Sequence, residues 1–221
     1  MQINNFNNQS YNPNFNAIQV AKVKSNLKNI ETNLKIYELS AKDDKCFLKK
    51  LPQKIDMKSL MPDLSNQEYA RWHEMLEYAV DNAMLSDRKT LLAVKDEKPC
   101  GILVFLPGKN KFHLDCICTW PVEYGQKVKL AGTALFNQLF KIFDKSKSGK
   151  IKLEAITNGP YDTVAKYKKL GFSECGGQDS KIFMESNAQR IKSTLNNLKN
   201  LISDTEIKNS GKENLNEILI L

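Results

Sequence analysis

The sequence predicts a mixed α/β domain of the α+β kind: a central, mostly antiparallel sheet of six to seven strands flanked by about four helices, with an extra helix near the C-terminus. Three observations lead there. Short apolar runs of strand length recur between residues 34 and 184, two of them joined by a five-residue polar link that reads as a hairpin. Helical periodicity appears only in segments set between those runs, the clearest opened by the capping box Ser65-Asn-Gln-Glu68. A chain of 221 residues with 41% hydrophobic residues is long enough for one good core and a short accessory segment.

Residues 1–33 are crowded with asparagine and read as a mobile leader, with a faint helical pattern from Ala17 to Leu34. Leu34–Leu39 alternates as a strand. Ser40-Ala-Lys-Asp43 then reads as the cap of a short helix through Phe47, Leu48 and Leu51, closed by Pro52. The helix opened by Ser65 has the apolar side Tyr69, Trp72, Leu76, Val80 and Ala83. Thr90–Val94 and Cys100–Leu106 form the hairpin, and Phe112–Thr119 a third strand. A helix is expected over Lys129–Phe143, a strand over Lys150–Ile156, and a helix with Pro160 in its first turn that carries Val164, Tyr167 and Leu170 and stops at Gly171. Phe172–Cys175 and Lys181–Met184 make the last two strands. From Ser186 onward, Ile191, Leu195, Leu198, Leu201 and Ile202 mark an amphipathic helix suited to pack on the domain, join a homodimer or dock a partner. The apolar Leu215–Leu221 is expected to dock on something as well.

The net charge of +8 is concentrated: residues 126–152 hold seven lysines (127, 129, 141, 145, 147, 150 and 152) against one acid, Asp144. That stretch suits a local anion site. Without interleaved aromatics or a known motif, charge alone argues weakly for nucleic acid. No apolar stretch approaches the roughly 20 residues that span a bilayer, and the first residues lack the basic start and apolar run of a secretory signal, so a cytoplasmic location without membrane association is expected. Five cysteines without a CxxC pair and two distant histidines, His73 and His113, give no metal site.

Four local motifs, Leu92–Gly101, Phe112–Pro121, Gln126–Ala134 and Val164–Phe172, together with the element order over residues 34–185, resemble the GCN5-related N-acetyltransferase (GNAT) superfamily. Leu92-Ala-Val-Lys-Asp-Glu-Lys-Pro-Cys-Gly101 resembles that family's central hairpin. Phe112–Thr119 with Trp120-Pro121 resembles its splayed strand, which lines the pantetheine arm of the cofactor. Gln126-Lys-Val-Lys-Leu-Ala-Gly132-Thr-Ala resembles its pyrophosphate loop, with Lys127 at the basic position and Leu130 where the first glycine of the pattern would stand. A second register uses Lys129, Gly132 and Ala134, but places Asn137 and Gln138 where apolar residues belong. Val164-Ala-Lys-Tyr167-Lys-Lys-Leu-Gly171-Phe172 resembles its terminal helix, whose tyrosine protonates the departing thiolate.

The resemblance implies a GNAT-type fold and an acetyl-CoA-dependent N-acetyltransferase that moves an acetyl group directly from the thioester to an amine of a small molecule, protein or peptide. It implies acetyl-CoA as cosubstrate, no metal, and cofactor contacts from Ile117, Cys118, Thr119, Lys127, Lys129, Leu130, Ala131, Gly132 and Thr133, with Lys145 or Lys147 as further phosphate partners. Tyr167 would be the general acid and Asp115 the first choice of base, ahead of His113 and Glu154. Simple alternation puts His113, Asp115, Ile117 and Thr119 on one side of their strand. The acceptor region, residues 41–88, offers Trp72, His73, Glu74, Glu77 and Asp81, without identifying the amine. The alternative, favoured by Leu130 and by the extensions, is a catalytically degenerate domain of this fold that acts as an interaction module.

Overall fold

The computed structural model describes residues 16–39, 45–159, 162–207 and 212–214. The strands are β1 (Asn16–Ser25), β2 (Asn33–Leu39), β3 (Lys89–Lys95), β4 (Lys98–Leu106), β5 (Lys111–Thr119), β6 (Lys150–Ile156), β7 (Ser173–Gln178), β8 (Lys181–Asn187), β9 (Ile202–Glu206) and β10 (Lys212–Asn214). The helices are α1 (Leu51–Lys54), α2 (Met57–Leu60), α3 (Asn66–Ala83), α4 (Ala131–Ser146), α5 (Thr163–Lys169) and α6 (Ala188–Leu198), with a 3-10 turn at Cys46–Lys50 before α1. All ten strands join one sheet in the order β10-β1-β2-β3-β4-β5-β6-β8-β7, with β9 also on β1. Every pairing is antiparallel except β5 with β6. The fold class is the one expected, with a larger sheet. Among the described residues no helix is long and apolar enough to cross a membrane.

The sheet has a core on each face. Under α4 and α6 lie Leu103, Phe105, Phe112, Leu114, Leu135, Phe140, Ile151 and Ile191. Under α1 to α3 lie Tyr37, Leu48, Leu76, Val80, Ile102, Val104, Cys116 and Cys118. Helix α3 begins as its sequence dictates: the Ser65 hydroxyl accepts from the Glu68 N–H, while the Glu68 carboxylate accepts from the Ser65 N–H at 2.9 Å. Asp96 and Glu97 take positive φ, 48° and 61°, in the two-residue turn of the β3–β4 hairpin, a geometry that matches strand twist. Gly101 is dictated by packing, because a Cβ there would lie 3.1 Å from Thr119 Cγ2 and 3.2 Å from Leu135 Cδ1.

Several expectations need correction. The leader reading fails from residue 16 onward, and the faint helix over Ala17–Leu34 is instead β1 and β2. Ala17, Ala21 and Val23 are buried while Ile18, Lys22 and Lys24 face solvent, which is a period of two. Residues 1–15 lie outside the described set, as do the Ser40 cap, Pro160 and Leu215–Leu221. Pro52 does not end a helix; it sits in the first turn of α1, where its missing N–H would have had no partner. Leu201 and Ile202 leave the C-terminal helix, and Ile202 opens β9, whose register pairs Lys22 with Thr205 and Val23 with Asp204. The sheet therefore draws in residues on both sides of 34–185.

The lysine-rich stretch is neutralised mostly from afar. Lys141 meets Asp204 and Glu206, Lys145 meets Glu206 at 3.0 Å, and Lys150 and Lys152 share Glu185. Lys145 stands about 20 Å along the helix from the start of α4, too far to join a phosphate there. Lys147, the C-cap of the same helix, is farther still.

Candidate functional site

The site begins where β5 and β6 part. Their parallel pairing runs from Lys111 with Lys150 to Leu114 with Leu153 and stops, although β5 continues to Thr119 and β6 to Ile156. Among the described residues no strand pairs with that edge of β5 beyond Leu114, so a wedge opens between the two strands with backbone donors and acceptors along one wall. On its other side β5 stays paired with β4 as far as Thr119 with Gly101.

That same pairing contains a bulge. Val104 is opposite Cys116 and Phe105 is opposite Leu114, which leaves Asp115 as the extra residue on β5. The bulge reverses the alternation expected along the strand. Phe112 and Leu114 join the core under α4, and beyond the bulge Ile117 and Thr119 face α4. His113, Asp115, Cys116 and Cys118 point toward α3 instead. The four residues expected on one side are thus split two and two.

At the wide end of the wedge, α4 starts without a side-chain cap. Its N-cap, Leu130, is left-handed at φ 67° and ψ 2°, and the first helical bond runs from the Ala134 N–H to the Leu130 carbonyl at 2.8 Å. The N–H groups of Ala131, Gly132 and Thr133 consequently have no acceptor within the helix. Three successive donors at the positive end of a helix dipole suit a phosphate. A glycine would take the Leu130 conformation without strain, and leucine there costs about 1–2 kcal/mol. A Cβ on Gly132 would stand 3.9 Å from both Ile117 Cδ1 and Thr119 Cγ2, so nothing inside the protein demands a glycine. Lys127 and Lys129 are exposed beside this turn. Asn137 and Gln138, the objection to the second register of the loop, are buried all the same.

Tyr167 approaches the wedge from the α4 side. Its ring packs edge-on against Phe136 and Phe172, 6.0 and 6.1 Å between centroids. Helix α5 is set by the Asp162 carboxylate accepting from the Ala165 N–H at 2.9 Å and by the Thr163 hydroxyl donating to the Ile156 carbonyl at 2.7 Å. Burial, with a smaller effect from the neighbouring Cys116 thiol, pushes the Tyr167 phenol up to about 12. The thiols of Cys100 and Cys118 are likewise raised to about 12, chiefly by burial. Cys118 can offer a ligand its main chain and not its buried side chain.

The α3 side of the wedge holds the charged groups. Asp115 is only 5% exposed and pairs with Arg88 Nε at 2.6 Å, while His113 Nε2 lies 3.8 Å from its other oxygen and is 38% exposed. Burial raises the Asp115 pKa, opposed by Arg88 and His113. Lys152 and Glu154 share this face, since Ile151 and Leu153 turn the other way, and Glu154 pairs with Lys181 at 2.8 Å near Tyr78 of α3. Arg88 carries no motif. Its one signal is scarcity: the chain has three arginines among 33 basic residues, and a planar guanidinium suits a confined carboxylate better than an ammonium does.

No protein-family model matches the sequence, and no curated protein matches it. Solved structures do match the fold. The chain is similar over 71% of its length to 99% of the PaiA N-acetyltransferase from Thermoplasma acidophilum in complex with coenzyme A, at 22% identity and a TM-score of 0.51. It is similar over 69% of its length to 96% of an aminoglycoside 6′-acetyltransferase type Ii, at 20% identity and a TM-score of 0.50. With the diverging parallel strands and the bulged β5 in one sheet and the uncapped α4 beside it, the chain has the fold of these two acetyltransferases.

Proposed function

We propose that the protein is an acetyl-CoA-dependent N-acetyltransferase in which an amine attacks the thioester carbonyl directly. One observation carries the reading: the edge of β5 from Asp115 to Thr119, unpaired among the described residues, leads to the N–H groups of Ala131, Gly132 and Thr133, which have no acceptor within their helix. A ligand with an extended amide-bearing arm and a pyrophosphate matches both parts, the arm adding along the strand edge and the phosphates meeting the helix start. Acetyl-CoA bound there would supply the acyl group. Ile117 and Thr119 line the arm with side chains, Cys118 with main chain, Lys127 and Lys129 add positive charge, and Leu130 shapes the turn.

The remaining steps belong to the protein. The attacking nitrogen must shed a proton, and His113 is the accessible group on the acceptor face, with an Asp115 oxygen 3.8 Å from its Nε2. Asp115 itself is closed off by Arg88, which favours His113 over it as the base that touches the amine and supports a positioning part for Asp115. On the other side Tyr167 donates its phenolic proton to the departing sulfur. A phenol raised to about 12 is fully protonated at neutral pH and is re-protonated readily after it has given up its proton.

Calorimetric titration with acetyl-CoA, with CoA in parallel, tests the reading. Micromolar binding supports it. No binding by folded protein overturns it and favours an interaction module of this fold, the reading to which the leucine at Leu130 would then belong.

A further inference from the structure

The start of α4 does not hold its shape alone. Leu130 is kept left-handed without glycine and without a side-chain cap, so something outside the helix must oppose its relaxation. One such hold comes from Thr32, whose hydroxyl donates to the Lys129 carbonyl at 3.3 Å. That carbonyl belongs to the peptide unit entering Leu130. Thr32 is 5% exposed, so water competes little for the bond.

Thr32 sits at the end of the β1–β2 connection, which is itself held at several points. The Ser25 N–H donates to the Thr32 carbonyl at 3.1 Å. The Asn26 N–H donates to the Leu201 carbonyl at 2.9 Å, and the Asn26 side-chain amide to the Lys199 carbonyl at 2.7 Å. A continuous path of bonds therefore runs from the turn after α6, through the β1–β2 connection, to the peptide that fixes the start of α4. Two of its three parts, the turn after α6 and the β1–β2 connection, lie beyond residues 34–185.

We infer that Thr32 is a positioning residue for the anion-binding turn: its hydroxyl holds the Lys129–Leu130 peptide so that the N–H groups of Ala131, Gly132 and Thr133 converge before ligand arrives. The inference rests on the reading of that turn as the pyrophosphate site. Without the hydroxyl, the Lys129 carbonyl loses its partner in a confined place, the peptide is free to rotate, and part of the ordering falls to the binding step.

Titration of the full chain with CoA separates the possibilities. Thr32→Val keeps the shape and removes the donor, and it is expected to weaken CoA binding about threefold to tenfold. Thr32→Ser, which restores the hydroxyl, is expected to return affinity to within about twofold of the parent chain. If Thr32→Val does not fold, Thr32→Ala removes the same donor with less bulk. Unchanged affinity in Thr32→Val, or equal loss in Thr32→Val and Thr32→Ser, overturns the positioning role while leaving the proposed function intact. Failure of the parent chain to bind CoA overturns both.

Discussion

Arg88 Nε lies 2.6 Å from Asp115 Oδ2, joining the loop after α3 to the extra residue of the β5 bulge. The carboxylate is 5% exposed and the guanidinium 17%, so neither charge is well hydrated. Arg88→Ala should therefore destabilise the protein by about 2–4 kcal/mol, because it strands a confined carboxylate. Asp115→Asn in the same background should recover part of the loss. Denaturant unfolding measures both, and an Arg88→Ala cost below about 0.5 kcal/mol would mean that water reaches the pair freely.

Gly132→Ala should separate stability from binding. The new methyl meets only ordinary contacts at 3.9 Å, and alanine is a better helix former than glycine, so the melting temperature should stay level or rise slightly. The methyl also stands where a phosphate would approach the free N–H groups, so CoA affinity should fall at least tenfold. Retained affinity would place the phosphates elsewhere.

Tyr167→Phe should lower kcat by about a hundredfold with little change in acetyl-CoA affinity, since it removes a proton donor and keeps the ring between Phe136 and Phe172. An unchanged rate would remove the general-acid role. The same variant serves as the reference for a spectroscopic titration. The difference from the parent should show one phenol ionising near pH 12, not near 10. Because the folded value is raised, this group's contribution to stability is complete below the unfolded value and is lost as pH climbs from there through the folded one.

The pH dependence of β9 has the opposite sign. Hydrogen bonding from Lys145, aided by the nearby charge of Lys141, holds the Glu206 carboxyl below its usual range. Its contribution is present above the unfolded carboxylate value and disappears as pH falls through the lowered folded one. Glu206 is about a third exposed, which limits the effect to under about 1 kcal/mol. Hydrogen exchange should show β9 amides losing protection in acid before those of β4. Equal protection at every pH would leave the β9 to α4 ion pairs without a role.

What could be read in the sequence was local. Ser65 and Glu68 announce a helix start because both partners of the capping box lie within four residues. Tyr167, Gly171 and Phe172 stand at a spacing that a helix and its terminating turn impose directly, and Gly171 indeed takes a positive φ of 84°. The bulge at Asp115 was not legible, because a bulge is a mismatch in count between two strands and leaves no composition signal on either. The lysines of α4 and β6 read as a local anion site only because Asp204, Glu206 and Glu185 are far away in sequence. Strand β1 was hidden by the asparagine-rich run before it and by alanines at two of its inward positions, Ala17 and Ala21, too small to mark a buried face.

The pairing of β1 with β9 bears on how the molecule is made. Lys22 finds its partner in Thr205, so during synthesis the first strand waits, with one edge open, until nearly all of the described chain has left the ribosome. Such a distant contact raises the loop-closure entropy of the last assembly step and slows it. In the interval, the open edge of β1 is the place where a second nascent chain could add its own strand, which makes the exposed lysines at Lys22 and Lys24 apt guards against self-association before the protein is finished.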